Sequence, residues 1–397
     1  MPVLSLPMEV QSEIVKLLIY PHDVASLALT TSQLGGIARD ILWMYHVNNV
    51  SALIHLLPHD AYTRNRVGLG SSGTLIQYKD SRMITEDDLI KLKAVCGRMR
   101  AISLQDSRIP TTISPVLLNH IRSLGPITPN IRSISTFGCS SRLPISDLLS
   151  SFIASTLKKA SLSITTSSEL SAASKALMGT NLTTLHLDGT DFLPTNIHTL
   201  TTLEKTLRSL INLTHIHLVI GETVGDVFIH PLHWLPHLHT LSITLTSRVY
   251  ASRINSVDGI DSRAFPALVE VILKASPNDI SEYILEAFEL RGKVKKLILV
   301  PLRRCTDQEE CMVYLRHMLT VVDLTQTSSC ALRSVEVHDM YATTPILPTG
   351  MEKPYRHLGG AVKVYHTNGM EHWRLAGKSG LKWDEIEDWD HIGWFGD

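Results

Sequence analysis

The chain has 397 residues, 44% of them apolar, enough hydrophobic side chain for about two or three structural units. Its 37 Lys and Arg balance 38 Asp and Glu, which excludes the broad positive field of a protein that wraps nucleic acid or lies on an anionic membrane. No apolar run has the length of a bilayer span. The start, with Pro2, Pro7 and Glu9 and no basic residue ahead of its apolar part, is not patterned as a secretory signal, so a cytoplasmic or nuclear protein is expected.

In chain order, Val10, Ile14, Leu17 and Leu18 recur at i, i+4, i+7 and i+8 and so fall on one stripe of a helix. Pro7 can open that helix, because the N–H that proline lacks has no partner in a first turn. Tyr20 and Pro21 are expected to end it. Asp23 is placed to cap a second helix carrying Val24, Leu27 and Ala28, and Ser32 to cap a third with Leu34, Ile37, Ile41 and Leu42. Such a trio is at the lower size limit for a stable core, so part of its apolar surface is expected to need cover from elsewhere.

Leu6-Pro7-x-Glu9-Val10, then Ile14, Leu17, Asp23-Val24, Leu27 and Thr30-x-x-x-Leu34, closing on Ile37-Ala38 and Trp43, resembles an F-box. The resemblance implies that residues 1–48 dock on the small adaptor subunit of SCF-type cullin-RING ubiquitin ligases, and through it on the cullin. It implies a contact made by Leu6, Pro7, Glu9, Val10, Ile14, Leu17 and Leu27. Many F-boxes carry an aromatic residue in the third helix where this chain has Gly35-Gly36, a pair expected to weaken that helix.

Residues 49–97 read as a helical linker region. Within it, Gly68-Leu69-Gly70-Ser71-Ser72-Gly73 matches G-x-G-x-x-G, the turn that cradles phosphate between a strand and a helix. The surroundings do not fit: "AYTRNRV" before it reads as a polar loop and Thr74 to Tyr78 after it as a strand, so the glycines read as a flexible loop.

From 98 to 345 one template recurs, apolar-x-x-apolar-x-apolar. Copies stand at Met99-Ile102-Leu104, Leu182-Leu185-Leu187, Leu213-Ile216-Leu218, Leu238-Leu241-Ile243, Leu268-Val271-Leu273, Val294-Leu297-Leu299 and Leu332-Val335-Val337, with degenerate ones at Ile131-Ile134-Thr136 and Leu157-Ala160-Leu162. Their first positions step by 25 to 38 residues, the length of a strand, a helix and two loops in a leucine-rich repeat. Helical candidates such as Asp147 to Ile153, Thr201 to Leu210, Ile280 to Glu289 and Glu309 to Val322 fill the intervals. The expected fold is therefore α/β: a three-helix N-terminus, then an irregular solenoid whose strands form a curved parallel sheet with outer helices. A doubly wound α/β sheet is the alternative. The asparagine that regular repeats place after the strand is missing here; Leu187-Asp188-Gly189-Thr190-x-Phe192 comes nearest. An F-box followed by such a body, with the order "TEDDLIKLKAVCGRMRAISL", "TPNIRSIS" and "LLSSFIASTLKKASL", resembles the F-box proteins expanded in mushroom-forming fungi.

With the leucine positions turned inward, the third and fifth residues of each copy form the opposite face. These include Lys159, Thr184, His186, His215, His217, Thr240, Ser242 and Lys296, the expected target-binding stripe. No catalytic residue is assigned: no G-x-S-x-G elbow or P-loop occurs, and the paired histidines lack acidic or cysteine company at ligand spacing, so no metal or cofactor is expected. Cys96, Cys139, Cys305, Cys311 and Cys330 are odd in number and scattered, and read as reduced thiols. The sequons at Asn49, Asn181 and Asn212 read as chance matches. In 346–397, Asn368-Gly369 between alternating runs reads as a β-hairpin with Val364 opposite Trp373, followed by the acidic tail "WDEIEDWDHIGWFGD". The expected function is a non-enzymatic substrate receptor of the ligase, holding an unidentified protein target. The alternative is a leucine-rich-repeat scaffold unrelated to ubiquitin.

Overall fold

The computed structural model describes residues 6–18, 21–30, 32–45, 57–60, 62–67, 73–78, 85–103, 111–113, 128–136, 149, 152–189, 197–220, 232, 234–245, 265–275, 294–301, 334–337 and 362–364. The protein is α/β with a parallel sheet. It divides into two compact units, one taking the chain to Ser163 together with Ser168–Leu182, the other taking Ile164–Ser167 and the chain from Thr183 to Asp388. The expected array thus spans both.

The first unit opens with helices α1 (Met8–Lys16), α2 (Pro21–Ala28) and α3 (Ser32–Tyr45). Pro7 is the extended N-cap of α1, and its carbonyl accepts from the Gln11 amide at 3.0 Å. Leu17 closes the helix, earlier than the Tyr20-Pro21 stop expected from sequence. Pro21 instead opens α2, so Asp23 lies in its first turn, where its charge meets the positive end of the helix dipole.

Val15, Val24, Ile37, Ala38 and Ile41 form a core of their own, with Leu18, Leu27, Ala28 and Leu42 packed against it. At roughly 1.5–3 kcal/mol for each large apolar side chain taken out of water, this holds the trio together. The stripe of α1 that turns inward begins with Gln11 and Val15, both buried, whereas Val10, Ile14 and Leu17 face out. Apolar residues lie on two neighbouring stripes of this helix, and periodicity cannot say which one the partner helices take. Gln11 fixes the choice locally, since its Nε2 donates to the Leu6 carbonyl at 2.7 Å and ties the Leu6-Pro7 turn to the helix.

Gly35 has a packing reason. A Cβ there would stand 2.7 Å from the Ala28 carbonyl oxygen, so α2 and α3 approach through the missing side chain, whereas a Cβ on Gly36 would meet nothing within 4 Å. Gly36→Ala is therefore expected to stabilise the protein by about 0.5–1 kcal/mol, the helix-propensity difference, and Gly35→Ala to destabilise it by about 1–2 kcal/mol after that gain is subtracted from the overpacking cost. Urea unfolding of the two variants checks the opposite signs.

Strands β1 (Tyr62–Val67) and β2 (Gly73–Tyr78) come next. They pair antiparallel, from Tyr62 opposite Tyr78 to Val67 opposite Gly73. The segment "AYTRNRV", read as a polar loop within a helical linker, is thus mostly strand, because β2 supplies a partner for its backbone. Residues 68–72 of the glycine-rich motif lie outside the described residues, but the element after them is strand β2 and not the helix a phosphate cradle needs. Helix α4 (Glu86–Cys96) is succeeded by β3 (Ala101–Ser103) and β4 (Thr111–Ile113), the latter pairing parallel with β2. Cys96 is a free, buried thiol whose proton affinity burial pushes up to about 12, which makes it inert. The other four cysteines lie outside the described residues.

The first unit continues through β5 (Ser133–Ser135), β6 (Lys159–Ser163) and helix α5 (Ser167–Leu177), with β3, β5 and β6 parallel neighbours in that order. The second contains β7 (Thr184–Gly189), helix α6 (Ile197–Ser209), β8 (His215–Ile220), β9 (Thr240–Leu245), β10 (Glu270–Ala275), β11 (Lys296–Pro301), β12 (Ser334–Val337) and β13 (Val362–Val364). From β7 to β13 each strand pairs parallel with the one before it, so spatial order matches sequence order. Every template position whose side chain is described is buried, from Met99 and Ile102 to Leu297 and Leu299. The leucines are in register: Leu185, Ile216, Leu241, Val271, Leu297 and Val335 form one row across six strands.

A second row of bonds precedes the strands. One carbonyl accepts from two successive amides of the next copy: Arg132 and Ser133 on Arg100 at 2.7 and 3.0 Å, Thr214 and His215 on Thr183 at 2.8 and 3.0 Å, His239 and Thr240 on Thr214 at 2.8 and 3.1 Å. Within the first unit, side chains add a ladder. Asn130 Nδ2 donates to Gly97 O at 2.7 Å, Thr156 Oγ1 to Pro129 O at 2.9 Å, and Asn181 Nδ2 to Ser155 O at 3.5 Å. Each stands one residue ahead of the leading apolar position, so the bridging role expected after the strand is taken up before it. Asn181, part of a sequon, is one of these rungs. Of the helical candidates, Thr201 to Leu210 falls on α6, Leu149 and Phe152 are helical within Asp147 to Ile153, and the two later ones lie outside the described residues. Val362–Val364, the first arm of the expected hairpin, is β13; the Asn368-Gly369 turn, the second arm and the acidic tail lie outside the described residues.

Candidate functional site

Two surfaces carry the residues singled out from sequence. On α1, Val10, Ile14 and Leu17 are 43%, 37% and 77% exposed, fractions that leave a row of apolar side chains bare on a helix whose other side is sealed. Glu9 and Pro7 are exposed beside them and Leu6 is half-buried. Leu27, expected at the same contact, packs against the helical core and is half-buried. Met8 and Leu29 are also exposed and were not expected there; each is a lone apolar residue off the periodic stripe, so periodicity gives no signal for it. A Lys16–Glu13 ion pair at 2.6 Å flanks the row. Being exposed, it contributes little to stability.

The other surface is the face of the second unit's sheet opposite the leucines. Register places Thr184, His215, Thr240, Glu270 and Lys296 in one row, and His186, His217, Ser242, Ile272 and Ile298 in the next. Six of the predicted residues, Thr184, His186, His215, His217, Thr240 and Ser242, are therefore neighbours on β7, β8 and β9. Lys159 belongs to the first unit, on β6.

Lys296 is not a free cation. Its ammonium lies 3.1 Å from Glu270 Oε1 and 3.3 Å from Glu336 Oε2. Burial works against its charge, but the Glu270 and Glu336 carboxylates outweigh that and hold its proton affinity above the ordinary lysine value. The acids come from β10 and β12, on either side, and only strand register reveals them. Ile298 and Glu336 are buried, so this end of the face is closed, while the β7–β9 end is half-open.

At that end the His186 and His217 rings stack, centroids 4.2 Å apart and planes 9° from parallel. Face-to-face rings do not converge their nitrogens on one point, and among the described residues no group of His, Cys, Asp or Glu is arranged to hold a metal ion. His217 Nε2 lies 3.1 Å from Thr244 Oγ1, and His215 Nδ1 2.8 Å from Thr214 Oγ1. Burial first, then the positive charge of His186 and Lys274, push the His217 proton affinity well below its ordinary value. Unfolded, the same imidazole takes its proton near about pH 6.5. Stability from this group is thus complete above that pH and declines as pH falls below it, because only the unfolded state then gains the proton. Urea unfolding at about pH 5.5 and 7.5 should show this decline, and His217→Phe should flatten it.

No helix among the described residues is long and apolar enough to cross a membrane. No protein-family model matches the chain, and no curated protein matches it in sequence.

Proposed function

We propose that this chain is the substrate-recruiting subunit of an SCF-type cullin-RING ubiquitin ligase, with the N-terminal trio as an F-box and the body as a leucine-rich-repeat-like solenoid. The observation that carries it is the division of α1 into a sealed side and a bare one. Val15 closes a core that the trio needs, while Val10, Ile14 and Leu17 are left outside it. A trio that packed its whole apolar surface within the chain would have no use for that row. The solenoid reading is supported by strands that succeed one another without any reversal of order from β7 to β13, whereas a doubly wound sheet reverses at its switch point.

In this reading the chain does no chemistry. It holds the ligase by α1 and a target by the face of the second unit's sheet opposite the leucines, and raises the local concentration of target lysines near an enzyme-bound ubiquitin. The test is capture of the ligase adaptor by the full-length protein, and its loss on Leu6→Ala with Pro7→Ala. Absence of capture by the unmodified chain would favour the scaffold reading, in which the trio is only the end cap of the array.

A further inference from the structure

Gln11 is wholly buried on the sealed side of α1, one turn ahead of Val15, in a trio whose core is otherwise Val15, Val24, Ile37, Ala38 and Ile41. Burying a primary amide costs free energy unless it is hydrogen-bonded. A methionine, similar in length and volume, would fill the same space without that cost. Packing therefore does not explain the glutamine.

Its bonds do. Gln11 holds two successive peptide groups ahead of it: its backbone amide donates to the Pro7 carbonyl at 3.0 Å, and its Nε2 donates to the Leu6 carbonyl at 2.7 Å. The first bond belongs to the helix, whereas the second reaches past the N-cap. Pro7 is extended at φ −52° and ψ 148°, and no side chain caps the helix at this position. Pro7 also has no N–H to donate, and Leu6, standing before a proline, is kept out of helical backbone. The helical ladder thus stops at Pro7. Among the described residues, the Gln11 side chain is the hydrogen-bond partner that ties Leu6 to the helix. Leu6 is half-buried and Pro7 exposed, so the turn is presented outward while its anchor is enclosed.

We propose that Gln11 is a positioning residue for ligase docking: without touching the adaptor, it holds the Leu6-Pro7 turn in the form that the adaptor takes. The proposal rests on the reading of α1 and this turn as the adaptor-binding surface. If only a fraction of molecules hold the turn in that form, apparent affinity falls by the same fraction. The loss then lies in the association rate, because contacts within the finished complex are unchanged. A residue that touches the partner acts mainly through dissociation instead.

The experiment compares the full-length chain with its Gln11→Met form by surface plasmon resonance against the purified adaptor. Association should slow about tenfold, with dissociation within about twofold of the unmodified protein. The urea midpoint should be equal or higher, since an amide has left an apolar interior. In the free protein the order parameter of the Leu6 amide should fall from about 0.85 to below about 0.6. Gln11→Leu, branched where methionine is not, should repeat these results and so exclude a packing effect of one side chain. Unchanged association in either folded variant, or a Leu6 amide that stays ordered, overturns the proposal. So does a loss confined to dissociation, or one that runs parallel to a loss of stability, which would leave Gln11 a core residue only. Equal binding by the unmodified and variant chains sinks the positioning role alone; no binding by the unmodified chain sinks the ligase reading and this role with it.

Discussion

Leu241→Ala is expected to lower the unfolding free energy of the second unit by about 3–4 kcal/mol, whereas Thr240→Ala beside it should cost under about 1 kcal/mol. Leu241 is wholly buried and stands in register between Ile216 of β8 and Val271 of β10, which are themselves 2% and 0% exposed. The backbone around it is pinned by the paired amides of His239 and Thr240 on the Thr214 carbonyl, so the site cannot collapse to fill the void. A cavity that persists adds to the lost transfer energy, which is why the estimate sits in the upper half of the range for Leu→Ala. Thr240 points to the opposite face and is half-buried. Urea unfolding followed by far-UV circular dichroism measures both; equal losses would mean that the leucine row is not the shared core of the sheet.

The second large effect concerns α1. Val10→Asp combined with Leu17→Lys should weaken adaptor binding by the full chain at least about a hundredfold, roughly 2.7 kcal/mol, by placing charge in an apolar contact. Stability should stay within about 0.5 kcal/mol of the unmodified protein, because both positions are exposed and each new charge suits its end of the helix dipole. Val15→Asp is the contrasting case: it buries an unpaired carboxylate in the core formed with Val24, Ile37 and Ile41, and should unfold the trio. Surface plasmon resonance against the purified adaptor, with thermal unfolding as the stability control, separates the two kinds of loss. Binding that survives the double substitution would remove α1 from the contact.

The α/β character and the parallel sheet were legible in the sequence, since a period of strand-length apolar patterns separated by helix-length intervals permits little else. The buried set was legible as well. Leu182-Leu185-Leu187 and its relatives bury each described leading, fourth and sixth residue, because a two-residue alternation fixes which side of a strand is wet. The three helices, with Val24, Ile37 and Ile41 on their apolar faces, were visible from the 3.6-residue helical period.

Other features depend on partners distant in the chain. The hairpin of β1 and β2 was missed because Tyr62–Val67 is polar, and its extended form results from pairing with β2 and not from its own composition. Gly35 looked like a weak point in a helix and is a point of close approach, a distinction made only by Ala28 lying 2.7 Å from where a side chain would begin. Lys296 was read from sequence as part of the target-binding stripe, and only β10 and β12 bring Glu270 and Glu336 to it.

The sequence by itself determined the alternation of strand and helix, the face of each strand that is buried, and the existence of a small helical unit at the start. Those arise from local periodicity, which each segment carries alone. Tertiary structure decided which of two apolar stripes on α1 is sealed, which carbonyls bridge successive copies, and which charges on the face opposite the leucines are neutralised. Those depend on the rotation and register of one element against another, quantities that reside in the contact and in neither partner's sequence.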